Sequence, residues 1–245
     1  TGTLDPNATG VLPIAVGGAT RFIELLPTHR KSYTATFKTG VCTDTLDIWG
    51  QVTATFDKEV TFEDIKEVAL SFKGEIMQLP PMYSALKKDG VRLYELARQG
   101  IEVEREKRKC EIYELTVEKS ENGEYSLYCE CSAGTYIRTL INDIGEALGC
   151  GAVMTSLCRS YACGIELSEC FTLEELQELK EKDELYKALI PLDKLIGEYP
   201  EITVTENQAK RFSNGGSLMR ERLKGNLENG LYRVYGNGEF LGLGE

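Results

Sequence analysis

Asp5, Tyr33, Tyr136 and Arg138 are the side chains left once the chemistry-bearing residues of this chain are sorted by type and spacing. A carboxylate, two phenols and a guanidinium suit nucleophilic or acid–base work that needs neither a metal nor a histidine. Taken singly, each also has a structural explanation. Asp5 precedes Pro6 in "TGTLDPNATGVLP", and Asp-Pro initiates turns because proline fixes its own φ and pushes the preceding residue toward extended geometry. Tyr33 suits a core, and an arginine in the first turn of a helix suits a surface.

The other chemistries fall away on residue type. The chain has one histidine, His29, set among polar residues in "PTHRKSY", which reads as a solvent-facing loop. A Ser-His-Asp or Cys-His arrangement has no base to use. The eight cysteines include no C-x-x-C pair, so a zinc site of the usual kinds is not expected, and reduced thiols serving as small hydrophobes are. "TDTLDIWG" has carboxylates but not the spacing of a calcium loop, and reads as a decorated turn before a strand. Gly17-Gly18 and Gly215-Gly216 lack the order of a dinucleotide or phosphate loop. No metal is expected.

At 245 residues the chain suits one large domain, or a main domain with a small appendage. Its net charge of −11 argues against non-specific nucleic-acid binding, but the distribution leaves room for a local basic face. Glu166 to Glu198 carries a net charge of −6, whereas Glu201 to Glu245 is balanced and "ALKKDGVRLYELARQG" is basic. No stretch approaches the ~20 apolar residues of a membrane span, and no charged-then-apolar leader stands at the start. A soluble cytoplasmic monomer is the expectation.

The elements that must position the four side chains are legible from periodicity. "SYTATFKTG" alternates, with Tyr33, Ala35 and Phe37 on one face of a strand. "GQVTATF" is a second strand, and "VLPIAVGGATRFIELL" reads as a strand turning into a short helix. "TFEDIKEVALSFKGE" predicts a helix capped by Thr61 and Asp64, with Ile65, Val68, Ala69 and Phe72 buried. "LYELARQG" is a short helix stopped by Gly100. "KCEIYELTVEKSENGEYSLYCECSAG" predicts two strands joined at Asn122-Gly123, a hairpin signal. In "GTYIRTLINDIGEALGCGA" Thr135 is the expected N-cap, Gly149 the stop, and Ile137, Leu140, Ile141, Ile144 and Leu148 the buried stripe, which puts Arg138 in the first turn. "TLEELQELKEK" is an acidic surface helix. A domain boundary is placed near Tyr199-Pro200, before a strand-rich tail with "SNGGS", "ENG" and "GNGE" turns.

Four segments, in this order, carry a resemblance: "TGTLDPNATGVLPIAVGGATRF", "KSYTATFKTGVCTDTLDIWGQV", "PPMYSALKKDGVRLYELARQG" and "CSAGTYIRTLINDIGEALGCGA". Together they closely resemble the TruB family of tRNA pseudouridine synthases, from residue 1 to about Arg159, with a weaker continuation into the tail. The resemblance implies an α+β fold around a mixed, largely antiparallel sheet over residues 1–199, then a small β-rich RNA-binding domain of the PUA type over 200–245. It implies site-specific isomerisation of uridine at position 55 in the T-arm of tRNA, with no cofactor. Family members usually carry a segment ending in Gly-His before this first motif, so the chain is expected to begin inside the natural protein.

Residue by residue, the resemblance implies that Asp5 is the reacting carboxylate, attacking C1′ or removing a sugar proton. Arg138 matches the arginine paired with it; a neighbouring cation keeps a carboxylate ionised, and a forked guanidinium orients it. Tyr33 matches the tyrosine that stacks on the flipped base, with its hydroxyl available for proton transfer at C5. Tyr136 matches a pocket tyrosine and Leu157 an apolar wall. Lys87, Lys88, Arg92 and Arg159 are the expected contacts to the RNA backbone. Where the family has two arginines after the leucine, this chain has Cys158-Arg159, one cation fewer. The rival readings are a guide-RNA-dependent relative acting on ribosomal RNA, and a tRNA-binding folding helper in which catalysis is secondary or lost.

Overall fold

The computed structural model of the chain describes residues 2–27, 29–120, 123–225 and 227–245. It divides into two compact units, one of Thr1–Ile23 with Pro27–Thr172, the other of Glu24–Leu26 with Leu173–Glu245. The larger unit begins with β1 (Thr9–Gly10), β2 (Arg30–Thr39) and the short hairpin of β3 (Val41–Thr43) and β4 (Val52–Thr55). Next come α1 (Phe62–Ser71), β5 (Gly74–Gln78), a second short hairpin of β6 (Lys87–Lys88) and β7 (Val91–Arg92), and α2 (Leu93–Arg98). Strands β8 (Arg108–Lys119) and β9 (Tyr125–Ser132), helix α3 (Ile137–Leu148), and strands β10 (Ala152–Ala162) and β11 (Ile165–Glu166) complete it.

Seven of these strands form one sheet in the order β1-β10-β2-β9-β8-β5, with β11 on β10. All its pairs are antiparallel except β1 with β10, so the sheet is mixed and largely antiparallel, as expected. The period-2 reading of β2 holds because one face is buried: Tyr33, Ala35 and Phe37 are in the core. Against that face α3 packs Ile137, Leu140, Ile141, Ile144 and Leu148, all buried. Gly145 lets the helix approach the start of β10 closely, since a Cβ there would strike the Ala152 backbone nitrogen. Helix α1 has the Thr61–Asp64 capping box and buries Ile65 and Ala69, with Val68 and Phe72 partly covered. Strands β8 and β9 pair antiparallel as predicted; of their junction, Asn122 lies outside the described residues.

Two local expectations are corrected. "VLPIAVGGATRFIELL" contains no long strand: past β1 the chain runs without regular pairing, exposing Leu12, Ile14 and Val16, into a 3-10 helix at Gly17–Leu25. Nor does Thr135 cap α3. The N-cap is Tyr136, and the Thr135 hydroxyl donates to Ser132 O at 2.9 Å. Buried Gln78 of β5 does the pinning instead, accepting from Tyr136 N at 3.0 Å and donating to Tyr136 O at 3.2 Å.

The smaller unit contains α4 (Leu173–Glu181), α5 (Leu192–Leu195), β12 (Glu201–Val204), α6 (Glu206–Ser213), β13 (Tyr232–Gly236) and β14 (Glu239–Gly244). Its three strands run β12-β13-β14, the first pair parallel and the second antiparallel, over a small core of Val204, Ala209 and Val234. The β13–β14 turn places Asn237 and Gly238 at φ 53° and 83°, the left-handed pair a two-residue hairpin turn requires.

One acidic group on α3 is held against its preference. Burial, with Glu146 adding repulsion, pushes the Asp143 carboxyl up to about 6. The folded unit therefore binds this proton more tightly than the unfolded chain, and the stability that goes with it is present below about pH 4 and lost as pH rises through about 6. Asp143→Asn should raise the melting temperature at pH 7.5 by about 2–4 °C, the partial exposure of the group limiting the gain to about 1 kcal/mol. In thermal melts across pH the gain should shrink from pH 6 to 4; a gain that persists at pH 4 would contradict the assignment.

Candidate active site

Arg138 occupies the first turn of α3 with its side chain 5% exposed, where a cation opposes the helix dipole and needs anionic neighbours. It finds them in Asp5. The Arg138 Nη2 donates to Asp5 Oδ1 at 2.8 Å and Nε lies 2.8 Å from Asp5 Oδ2, a side-on fork using both carboxylate oxygens. Nη1 donates to Thr45 O and Nη2 also to Tyr83 O, each at 2.8 Å, and Asp47 Oδ2 stands 3.6 Å from Nη1. The Asp5 side chain remains 33% exposed, so the pair presents an oriented carboxylate to the outside while its cation stays buried.

Asp5 sits at the start of a turn closed by Ala8 N donating to Asp5 O at 3.0 Å. Arg159 fixes the chain on either side of it. Its Nε donates to Val11 O at 2.8 Å, its Nη2 to Gly2 O at 2.9 Å, and its own carbonyl accepts from Val11 N at 2.8 Å. Gly10, at φ 106°, is needed here because any side chain would strike the Arg159 backbone. The expectation that Arg159 meets RNA phosphates is therefore corrected: the residue is 1% exposed, and its Nε and Nη2 are engaged by carbonyls of the segment that carries Asp5.

A cavity of about 650 Å³, well within the range of ligand pockets, is lined by Asp5, Tyr33, Asp47, Tyr136, Arg138 and Leu157 among others. The sheet register explains the meeting, since β10 lies between β1 and β2 and sets Arg159 opposite Tyr33 and Leu157 opposite Ala35. Burial pushes the Tyr33 phenol up to about 12, with Cys131 adding and Arg159 opposing, so it is neutral at physiological pH. Burial also raises Tyr136. Lys31, two residues before Tyr33 on the same strand face, lines the cavity too; burial, then Arg159, hold its ammonium below the usual lysine range. Among the backbone-contact candidates Arg92 lines the cavity. Lys87 and Lys88 are exposed on the β6–β7 hairpin and do not line it, Lys88 Nζ donating to Glu104 O at 2.6 Å.

Periodicity carried no signal for Asp47, Lys31, Tyr83, Tyr94 or Arg98, all of which line the cavity. Asp47 had been a turn decoration; the structure makes it a second carboxylate beside Arg138. Its loop is built under strain, with Leu46 at φ 64°, and is held to β10 by Ile48 N donating to Met154 O at 2.9 Å. The pattern of acidic residues in "TDTLDIWG" was visible, but not what it faces. Among the described residues no group of three or more His, Cys, Asp or Glu side chains is arranged to hold a metal, and no helix is long and apolar enough to cross a membrane.

Comparison with known proteins shows the family. The N-terminal domain of TruB family pseudouridylate synthases matches residues 1–137. The tRNA pseudouridylate synthase B C-terminal domain matches 138–197, and the C-terminal domain of pseudouridine synthase II TruB matches 200–245. The chain is 45% identical over 246 residues to tRNA pseudouridine synthase B of Clostridium kluyveri, covering all of this chain and 84% of that protein. It is 44% identical over 245 residues to tRNA pseudouridine synthase B of Dechloromonas aromatica, covering 100% and 80%. Among solved structures, a chain of a Cbf5-Nop10-Gar1 complex superposes with a TM-score of 0.70 at 27% identity, covering 100% of this chain and 68% of that one. A chain of an H/ACA ribonucleoprotein bound to a substrate RNA containing 2′-deoxyuridine gives 0.69 at 25% identity, covering 100% and 67%.

The two members of the ion pair should differ in what they do for stability. Arg138→Met strands Asp47 and the Thr45 and Tyr83 carbonyls, and should cost about 3–5 kcal/mol in urea unfolding. Asp5→Asn keeps the shape of a partly solvated side chain and should cost less than about 2 kcal/mol. Equal losses would contradict the view that Arg138 organises the site.

Proposed function

The chain belongs to the TruB family of pseudouridylate synthases, and from that premise we propose that Asp5 is its reacting carboxylate and that its substrate is the uridine at position 55 in the T-arm of tRNA. The reaction breaks the N1–C1′ bond, turns the uracil, and forms a C5–C1′ bond; the C5 proton leaves and N1 gains one. Atoms and electrons balance within the nucleotide, so no oxidant or cosubstrate enters. Whether the carboxylate attacks C1′ or removes a sugar proton, it must be ionised and aimed. The observation that carries the assignment is the Asp5–Arg138 fork, which holds both carboxylate oxygens and aims the group at the cavity.

The uridine has to leave its stack, at a cost of a few kcal/mol, and the cavity must recover that cost. Tyr33 offers a ring face for stacking, Tyr136 and Leu157 the walls, and Arg92, with Lys87 and Lys88 outside the cavity, cations for phosphates. A phenol at about 12 accepts a C5 proton only if its own proton leaves in the same step. Tyr33 thus acts first as a stacking surface, and as a proton carrier only in concert. Residues 1–199 form the catalytic domain and 200–245 a PUA-like RNA-binding domain in this reading, in a monomer working in the cytoplasm. The relatives named for tRNA, at 44–45% identity, favour tRNA over a substrate RNA of the kind bound by the H/ACA ribonucleoprotein neighbour at 25% identity.

Carbodiimide-dependent primer extension on an unmodified tRNA transcript tests this. The protein should produce a single stop in the T-arm that vanishes with Asp5→Asn while tRNA binding persists. Tyr33→Phe should slow turnover by about 100-fold or more, the scale of a lost proton-transfer group, with little change in binding. A stop outside the T-arm would move the substrate assignment, and product formed by Asp5→Asn at the parent's rate would remove Asp5 from the chemistry.

A further inference from the structure

Among the aromatic side chains that line the cavity and that the chemistry leaves unused, the largest is an indole. Trp49 is the only tryptophan of the chain, and its residue is 52% exposed while lining the same cavity as Asp5, Tyr33 and Arg138. An indole left half in water forgoes the burial that usually holds tryptophan in place, so its position needs another reason.

Its backbone is fixed in the strained loop that touches Arg138. Trp49 N donates to Asp47 Oδ1 at 3.2 Å, and that same oxygen accepts from Thr45 Oγ1 at 2.7 Å. Behind it Gln51 N donates to Asp44 Oδ1 at 2.8 Å, and Asp44 N to Gln51 O at 3.1 Å. Gly50 is packed so tightly that a Cβ would strike the Thr45 and Asp44 side chains. The other oxygen of Asp47 faces Arg138. One carboxylate therefore fixes the indole's backbone relative to the arginine that aims Asp5.

The surroundings indicate the occupant. Lys31, Arg92, Arg98 and Arg138 line the cavity against two acidic residues, Asp5 and Asp47, an excess of positive charge suited to a polyanion. Arg92 and Arg98 also flank the Tyr94 ring, at 5.9 and 5.4 Å from its centroid. Cations interleaved with aromatic faces are how proteins hold unpaired nucleotides. Extruding one uridine also leaves a neighbouring base without a stacking partner, and an indole whose backbone is held at the same cavity can replace it.

We infer that Trp49 is a stacking platform for a second unpaired base of the RNA, beside the uridine received by Tyr33. The inference rests on reading the cavity as the uridine site. Because Trp49 is the sole indole, its emission reports on that platform directly. Titration with an unmodified tRNA transcript should quench it, saturating near the KM for turnover. Trp49→Ala should raise KM about tenfold, within the range for losing one base stack, and leave kcat within about twofold. Trp49→Phe, which keeps a ring face, should recover most of the loss, and the melting temperatures of both variants should match the parent. Emission indifferent to RNA, an unchanged KM in Trp49→Ala, or a loss confined to kcat would each overturn the inference. The titration needs no turnover: a protein inactive on the transcript would defeat the uridine reading while the emission still decides Trp49.

Discussion

A single buried guanidinium ties the site together. Arg138 spends its donors on both oxygens of Asp5, on the carbonyls of Thr45 and Tyr83, and faces Asp47. These acceptors come from three segments far apart in sequence, so the arginine sets the distance between the N-terminal turn, the β3–β4 loop and the stretch before β6. Such a charge is costly to bury unless its donors are met, and each acceptor offsets part of that cost. The result is a carboxylate whose orientation is set before substrate arrives, which is what an aimed nucleophile or base requires.

Strand β10 provides the rail on which these segments register. It pairs with β1 and β2 at once, holds the Asp47 loop through Met154, and sends Leu157 into the cavity wall. From its middle, Arg159 braces the Asp5 turn at Gly2 and Val11. Two interior arginines thus divide the work, Arg159 placing the backbone of the turn and Arg138 aiming its side chain. An arginine suits both tasks because its planar fork meets several acceptors at fixed angles, whereas lysine offers one point charge.

What could be read from the sequence was what one-dimensional periodicity encodes. Tyr33, Ala35 and Phe37 were legible because one face of β2 is buried, and Arg138 because α3 carries a clean helical stripe ended by Gly149. Thr135 misled because a threonine before a helix is a good local cap, while the contact that pins Tyr136 comes from Gln78, 58 residues away. Arg159 misled similarly: nothing near it in sequence says that the partners of its side chain are Gly2 and Val11. The resemblance supplied the pairing of Asp5 with Arg138, which spacing alone does not contain. The roles of Asp47 and Trp49 were hidden in a loop whose meaning depends on what it faces.

A double-substitution cycle on Asp5 and Arg138, read as single-turnover rates of pseudouridine formation under saturating enzyme, tests the central claim most directly. Asp5→Asn and Arg138→Lys each remove one half of the fork. If the pair acts as one device, the double variant should be no slower than Asp5→Asn alone, within about threefold. Losses that multiply, with Arg138→Lys slowing the Asp5→Asn protein as much as it slows the parent, would show that the arginine contributes to turnover independently of the aspartate, and the account built on their fork would be wrong.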